Sequence, residues 1–119
     1  MDANNSFDKS WMLAQIGGDL DLLHEVAKIF LQDSARLKGE LAQAFRDGNS
    51  KALHAAAHAT KSAVGNFGAH QAVDAATRLE KACKDGDQLN FADLHALLVA
   101  EVDKLVEELQ AELSAAGKA

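Results

Sequence analysis

No proline interrupts this chain of 119 residues, and its apolar residues recur at one-face helical spacing in long, unbroken runs. Proline is the strongest helix breaker, so glycine-containing turns are left as the punctuation. A short helix is predicted over Phe7–Ile16, carrying Phe7, Trp11, Leu13, Ala14 and Ile16 and ended by Gly17-Gly18. It is too short to stand alone, so Trp11 is expected to dock it on the body as part of the core. Asp19 then caps a long helix whose stripe is Leu20, Leu23, Ala27, Phe30, Leu37, Leu41 and Phe45, with Ser34 inside the stripe and Gly39 tolerated. Asp47-Gly48-Asn49 ends it, and Asn49 or Ser50 caps a third helix that runs to about Phe67. Gly68 breaks the chain again. A fourth helix, from about Ala69 to Lys84, turns mostly alanine inward: Ala69, Ala72, Ala76, Leu79 and Cys83. After Asp85-Gly86-Asp87, Asn90 is expected to cap a last helix with the stripe Phe91, Leu94, Leu98, Val102, Leu105, Leu109 and Leu113. The acids Glu101, Asp103, Glu107, Glu108 and Glu112 read as its solvated face.

Tyrosine is absent and β-branched residues never run together, which argues against strands. The predicted fold is all-α: an antiparallel up-down four-helix bundle over residues 7–113 with a short extra N-terminal helix, and disordered termini at 1–6 and 114–119. No linker or repeat divides it.

Composition narrows the function. Twelve basic against 18 acidic side chains give a net charge of −6, which excludes nucleic acid as a partner because phosphate binding needs a basic surface. A single cysteine, Cys83, forms no internal disulfide and fits a reducing, cytoplasmic setting. The N-terminus shows no leader pattern, and no apolar run approaches the roughly 20 residues of a membrane span.

One stretch carries chemistry: S-K-A-L-H-A-A-A-H-A-T-K-S-A-V-G-N-F-G, from Ser50 to Gly68. At about 100° per residue, Leu53, Ala56, Ala57, Thr60, Val64 and Phe67 form a core-facing arc. His54, His58, Lys61, Ser62 and Gly65 fall together outside it. His58 is therefore predicted to face solvent, surrounded by the small residues Ala55, Ala59, Ser62 and Gly65, with Lys61 one turn on. A reachable imidazole beside a cation is a nucleophile for another protein.

The run A-H-A-T-K-S-A-V-G-N-F-G-A from Ala57 to Ala69 resembles the histidine-containing phosphotransfer (HPt) domains of multistep two-component relays. The family pattern is an alanine, the active histidine, a lysine three residues later, usually a glycine after it, and a Gly-Ala ten residues past the histidine. A Leu-Glu pair follows in the next helix, here Leu79-Glu80. Phe7-Asp8 and the stretch from Gly18-Asp19-Leu20 to Gly48 are also similar, so the resemblance spans roughly residues 7–113. Ser62 stands where the family most often has glycine; its hydroxyl is expected to bond a phosphoryl oxygen or the imidazole.

The resemblance implies a phosphoryl carrier without kinase activity of its own. His58 is the implied phosphoacceptor and Lys61 the group that offsets phosphoryl charge and favours a neutral imidazole. His54, Ala55, Ala59, Ser62, Gly65 and Gly68 are the implied receiver-docking and access positions. The implied partners are response-regulator receiver domains and a hybrid sensor kinase. The receiver would bring the Mg²⁺, so no cofactor is expected here, and the chain is expected to be a monomer. No P-loop or other glycine-rich phosphate loop occurs.

Bland readings stand beside these. His54 and His58 have a metal-ligand spacing, but H-A-A-A-H lacks the glutamate of the zinc motif and no further ligand is clearly placed, so no metal is predicted. His24, His95 and His70 read as structural or surface residues, and Cys83 as buried and inert. The competing functions are a receiver-docking adaptor that no longer carries phosphate, a metal- or ligand-binding bundle using His54 and His58, and a histidine-kinase dimerisation helix pair. The last lacks the usual H-E-x-x-x-P context.

Overall fold

The computed structural model describes residues 6–118; the expectations for residues 1–5 and for Ala119 lie outside the described residues. Five helices account for most of the chain: α1 (Lys9–Gln15), α2 (Leu20–Arg46), α3 (Ser50–Gly65), α4 (His70–Asp85) and α5 (Phe91–Ala115). No strand occurs among the described residues.

Side-chain caps start three of them. Asp8, Asp19 and Asn49 accept hydrogen bonds from the backbone N–H of Trp11, Leu22 and Ala52, each satisfying one orphan donor of a first turn. Asn90 does not cap α5 as expected. Its Nδ2 donates to Asp87 instead, at 2.7 Å, and a 3₁₀ turn over Gln88–Asn90 leads into the helix. Short turns force consecutive helices to run antiparallel. α3 packs between α2 and α4, α4 against α5, and α5 closes on α2, giving the up-down bundle.

The core follows the apolar stripes. Leu23, Ala27, Phe30, Leu37 and Leu41 of α2 meet Leu53, Ala57 and Val64 of α3 and Leu98, Val102, Leu105 and Leu109 of α5. The two hydroxyls in the stripes are satisfied locally: Thr60 donates to the Ala56 carbonyl and Ser34 to that of Leu31. On α4 the inner residues Ala72, Ala75 and Ala76 are small, so its backbone can lie close to its neighbours. The stripe of α2 departs from expectation at its ends. Leu20 is exposed, and Phe45 is half-buried and stacks on His95 while Ala44 takes the core position. Leu94 of α5 is likewise only half-buried.

Larger corrections concern the N-terminal segment and the acidic face. Glu108 is not solvated: its two carboxylate oxygens accept the Ser6 and Phe7 backbone N–H groups, both at 2.8 Å. Glu112 pairs with Lys9 and with buried His24, and Glu101 is buried, with Lys104 on one oxygen. Fixing an incoming segment gives these acids partners that a periodicity argument cannot supply. Ser6 is consequently buried. At the other end, α5 continues to Ala115, the Lys118 N–H returns to the Leu113 carbonyl, and Lys118 Nζ meets Asp21 at 2.7 Å.

Trp11 is 37% exposed and so is not a core residue, although it does dock α1. Its ring lies over Gly68, where φ is +62° and an added Cβ would stand 2.8 Å from Trp11 Cε3 and 2.9 Å from Asp8 Cβ. The Asp8 N–H also donates to the Phe67 carbonyl at 2.9 Å. Gly68 thus seats α1 on the α3–α4 turn. Gly68→Ala should cost about 2–4 kcal/mol, from a left-handed backbone plus overlap. Gly39→Ala, on an exposed turn of α2 with nothing within 4 Å, should add up to about 1 kcal/mol. Urea unfolding with unchanged m values measures both; equal effects of the two substitutions would refute the assignment for Gly68.

Candidate functional site

The α3 residues that face inward leave their opposite edge outside. Leu53, Ala56, Ala57, Thr60 and Val64 are buried, whereas His58, Ala55, Ala59 and Ser62 are exposed. The His58 side chain is 62% exposed, held on a rigid helix and not on a loop.

The helix next to it, α4, contributes the residue that organises the site. Glu80 is 9% exposed, at the edge of the alanine stripe. Its Oε2 lies 2.9 Å from His58 Nδ1, and Lys61 Nζ lies 2.7 Å from Oε1. The Lys61 contact is charge to charge and not a well-aligned hydrogen bond. His54 Nε2 stands further off, 3.9 Å from the same Oε2. A carboxylate only accepts, so Nδ1 of His58 must carry the proton. A neutral His58 therefore has its lone pair on Nε2. One buried carboxylate thus fixes the imidazole tautomer and tethers the lysine.

Burial acts to raise the Glu80 carboxyl, but the contacts and charges of Lys61 and His58 outweigh it and hold the group below its ordinary value. The Lys61 ammonium beside His58 is half-buried and paired with this carboxylate. Glu80 entered the sequence reading only as half of the Leu79-Glu80 pair. The signal that could have found it is an acid within one residue of an apolar stripe, facing a helix that has basic groups and no acid.

The other predicted positions divide. Ala55 and Ala59 lie on the exposed edge with His58. The Ser62 hydroxyl is not aimed at the imidazole; it donates to the His58 carbonyl at 3.2 Å, the usual resting place of a helical serine. Gly65 shares the His58 edge about 10 Å further along the axis, and an added Cβ there would meet Val73 at an ordinary 3.8 Å. Gly68 does not belong to this surface, because it is buried under Trp11. The remaining histidines lie apart: His24 is buried against Glu112, His95 against Phe45 with burial depressing its pKa, and His70 is exposed beside Trp11. Cys83 is buried, and burial pushes its thiol up, away from reactivity. Among the described residues, no group of three or more His, Cys, Asp or Glu is placed to hold a metal ion, and no helix is long and apolar enough to cross a membrane.

A protein-family model described as Hpt domain matches residues 25–117. Neither the search of curated proteins nor that of solved structures returned a significant match.

Because the folded state holds Glu80 ionised, its contribution is present above the ordinary carboxylate pKa and fades as pH falls through the depressed folded value. Glu80→Gln should therefore cost about 1–3 kcal/mol at pH 7, with the gap to wild type narrowing below about pH 4.5. Denaturant titrations from pH 7 to pH 3 measure this. A gap that stays constant with pH would mean that the carboxylate charge contributes nothing.

Proposed function

The chain belongs to the Hpt domain family, the phosphotransfer modules of two-component signalling, and from that membership we propose that His58 accepts a phosphoryl group from a receiver-domain aspartate and hands it to a second receiver. The observation that carries this reading is the pairing of an exposed imidazole with a buried acceptor on its Nδ1.

The step balances simply. The Nε2 lone pair attacks phosphorus, the P–O bond to the aspartyl carboxylate breaks, and that carboxylate leaves with the electron pair. The Nδ1 proton stays in place. The ring gains positive character as the N–P bond forms, and the Glu80 carboxylate beside Nδ1 offsets it. Lys61 lies on the other oxygen of that carboxylate, and in this scheme it turns from there toward the phosphoryl oxygens. Little covalent work is left to the protein in such a transfer beyond placing groups and stabilising charge. Mg²⁺ and its acidic ligands belong to the receiver in this scheme.

The docking ground would be the small-residue edge of α3 with Ala55, Ala59 and Ser62, with His54 and Gly65 at its margin. Small side chains there let a partner's pocket reach Nε2. A hybrid sensor kinase would sit upstream, on the cytoplasmic side of a membrane, and the chain would act as a monomer. A docking adaptor that carries no phosphate is the weaker alternative, since it has no use for a tautomer-fixing buried carboxylate.

Incubation with receiver domains phosphorylated by acetyl phosphate should give a label that is lost in acid, survives alkali and is absent from His58→Gln. Nitrogen NMR should place the phosphorus on Nε2. Lys61→Gln should slow transfer about tenfold, whereas Ser62→Ala should stay within about twofold, its hydroxyl being committed to the backbone. Label persisting on His58→Gln would sink the reading.

A further inference from the structure

The charges of this acidic molecule are not spread evenly. Helix α5 carries six acids against one lysine, a net of −5. Helix α3 carries two lysines and no acid, a net of +2 with its histidines neutral. The two helices lie across the bundle from one another, because each packs on α2 and α4 and not on its opposite. Helix α3 thus sets a small positive charge opposite the strongly negative α5, with Glu40 and Asp47 of α2 bordering its Ala55 side.

Two of the cations on and beside helix α3 are free of carboxylates. Elsewhere lysines and arginines are mostly spent on neighbouring carboxylates: Lys9 on Glu112, Lys28 on Glu25, Arg36 on Asp33 and Glu40, Lys38 on Asp103, Lys118 on Asp21. Among the described residues, four cations make no ion pair: Arg46, which donates to Gln43, Arg78, Lys51 and Lys84; of these, Lys51 and Lys84 are both exposed and lie together. They line one groove between the start of α3 and the end of α4, together with Ser50, His54 and Cys83. Along the α3 edge, Lys51 precedes His58 by two turns, about 10 Å. The one carboxylate that α4 turns toward this face, Glu80, is buried and matched by Lys61 and His58.

We propose that the Lys51–Lys84 groove is an electrostatic docking site that takes carboxylates on the rim of the partner receiver domain and lays its aspartate over His58. The inference rests on the phosphocarrier reading, which supplies the partner: a domain whose reacting group is an aspartate and whose metal is held by acids. Two unpaired cations on an otherwise acidic molecule attract such a surface and orient it before contact. Their charges are screened by salt, because both are exposed.

Transfer to wild type, Lys51→Gln/Lys84→Gln and Lys28→Gln/Lys118→Gln would be timed by rapid quench. The probes are receiver domains from the same genome, phosphorylated with acetyl phosphate. The control pair removes the same net charge from the groove between α2 and α5. The Lys51/Lys84 pair should lower kcat/KM about tenfold at about 25 mM salt and less than about twofold at about 500 mM, with kcat at saturation unchanged. The control pair should stay within about twofold at both. Equal losses for the two pairs, or a loss that persists at high salt, overturn the docking site alone. If no receiver labels wild type, the carrier reading falls and takes this inference with it.

Discussion

A carboxylate nine-tenths buried at a helix edge is costly unless something compensates it, and in this bundle the compensation comes from the residues of the candidate site. Glu80 loses hydration on the α4 edge and regains it as contacts from His58 and Lys61 on α3. Removing either partner leaves the Glu80 charge short of contacts, so the three groups stand or fall together. The consequence for chemistry is positional. His58 is mobile in principle, since most of its surface is in water, but its Nδ1 is anchored while Nε2 is left to the solvent. One ion-paired carboxylate thus links the stability of the α3–α4 packing to the orientation of a nucleophile.

That anchoring needs α3 and α4 to lie close, and the sequence provides for it with alanine. Ala56 and Ala57 on α3 and Ala72, Ala75 and Ala76 on α4 occupy the buried faces near the contact. Larger residues there would push Glu80 out of reach of His58. At the far end of the same helix pair, α1 closes the turn: the Asp8 N–H bonds to the Phe67 carbonyl and Trp11 covers Gly68. The acids Glu108 and Glu112 of α5 hold the chain entering α1. The N-terminal segment therefore ties α5 to the α3–α4 turn, fixing the end of the helix that carries His58.

Much of this was legible before any coordinates. The helical period placed all five helices, and it put Leu53, Ala57, Thr60 and Val64 inside and His58 outside. What periodicity could not reveal were partnerships between residues distant in sequence. It assigned the α5 acids to solvent because an acid off the apolar stripe has no other default, yet Glu108 meets Ser6 and Phe7 some hundred residues away. It placed Trp11 in the core, whereas the ring is 37% exposed and covers the buried Gly68. It did not pair Lys61 with Glu80, which sits 19 positions later in another helix. Asn90 failed as a cap for a local reason: Asp87, three residues back, competes successfully for its side chain.

The same asymmetry of charge bears on how a carrier can be both quick and impartial. A module that must meet one partner, take a group, leave, and meet another cannot rely on a large apolar interface, because tight burial slows departure. Its acceptor face is instead mostly alanine, serine and glycine, which permit approach without adding much adhesive area. Long-range attraction can supply the missing encounter rate, since exposed charges affect arrival more than residence. On the proposed reading, an acid-free helix carrying His58, set opposite a helix of net −5, would orient the molecule in the field of an acidic partner without adding contacts that must later be broken. On this argument Glu80 has to be buried and paired: an exposed carboxylate beside His58 would repel both the incoming phosphoryl group and the acidic surface that brings it.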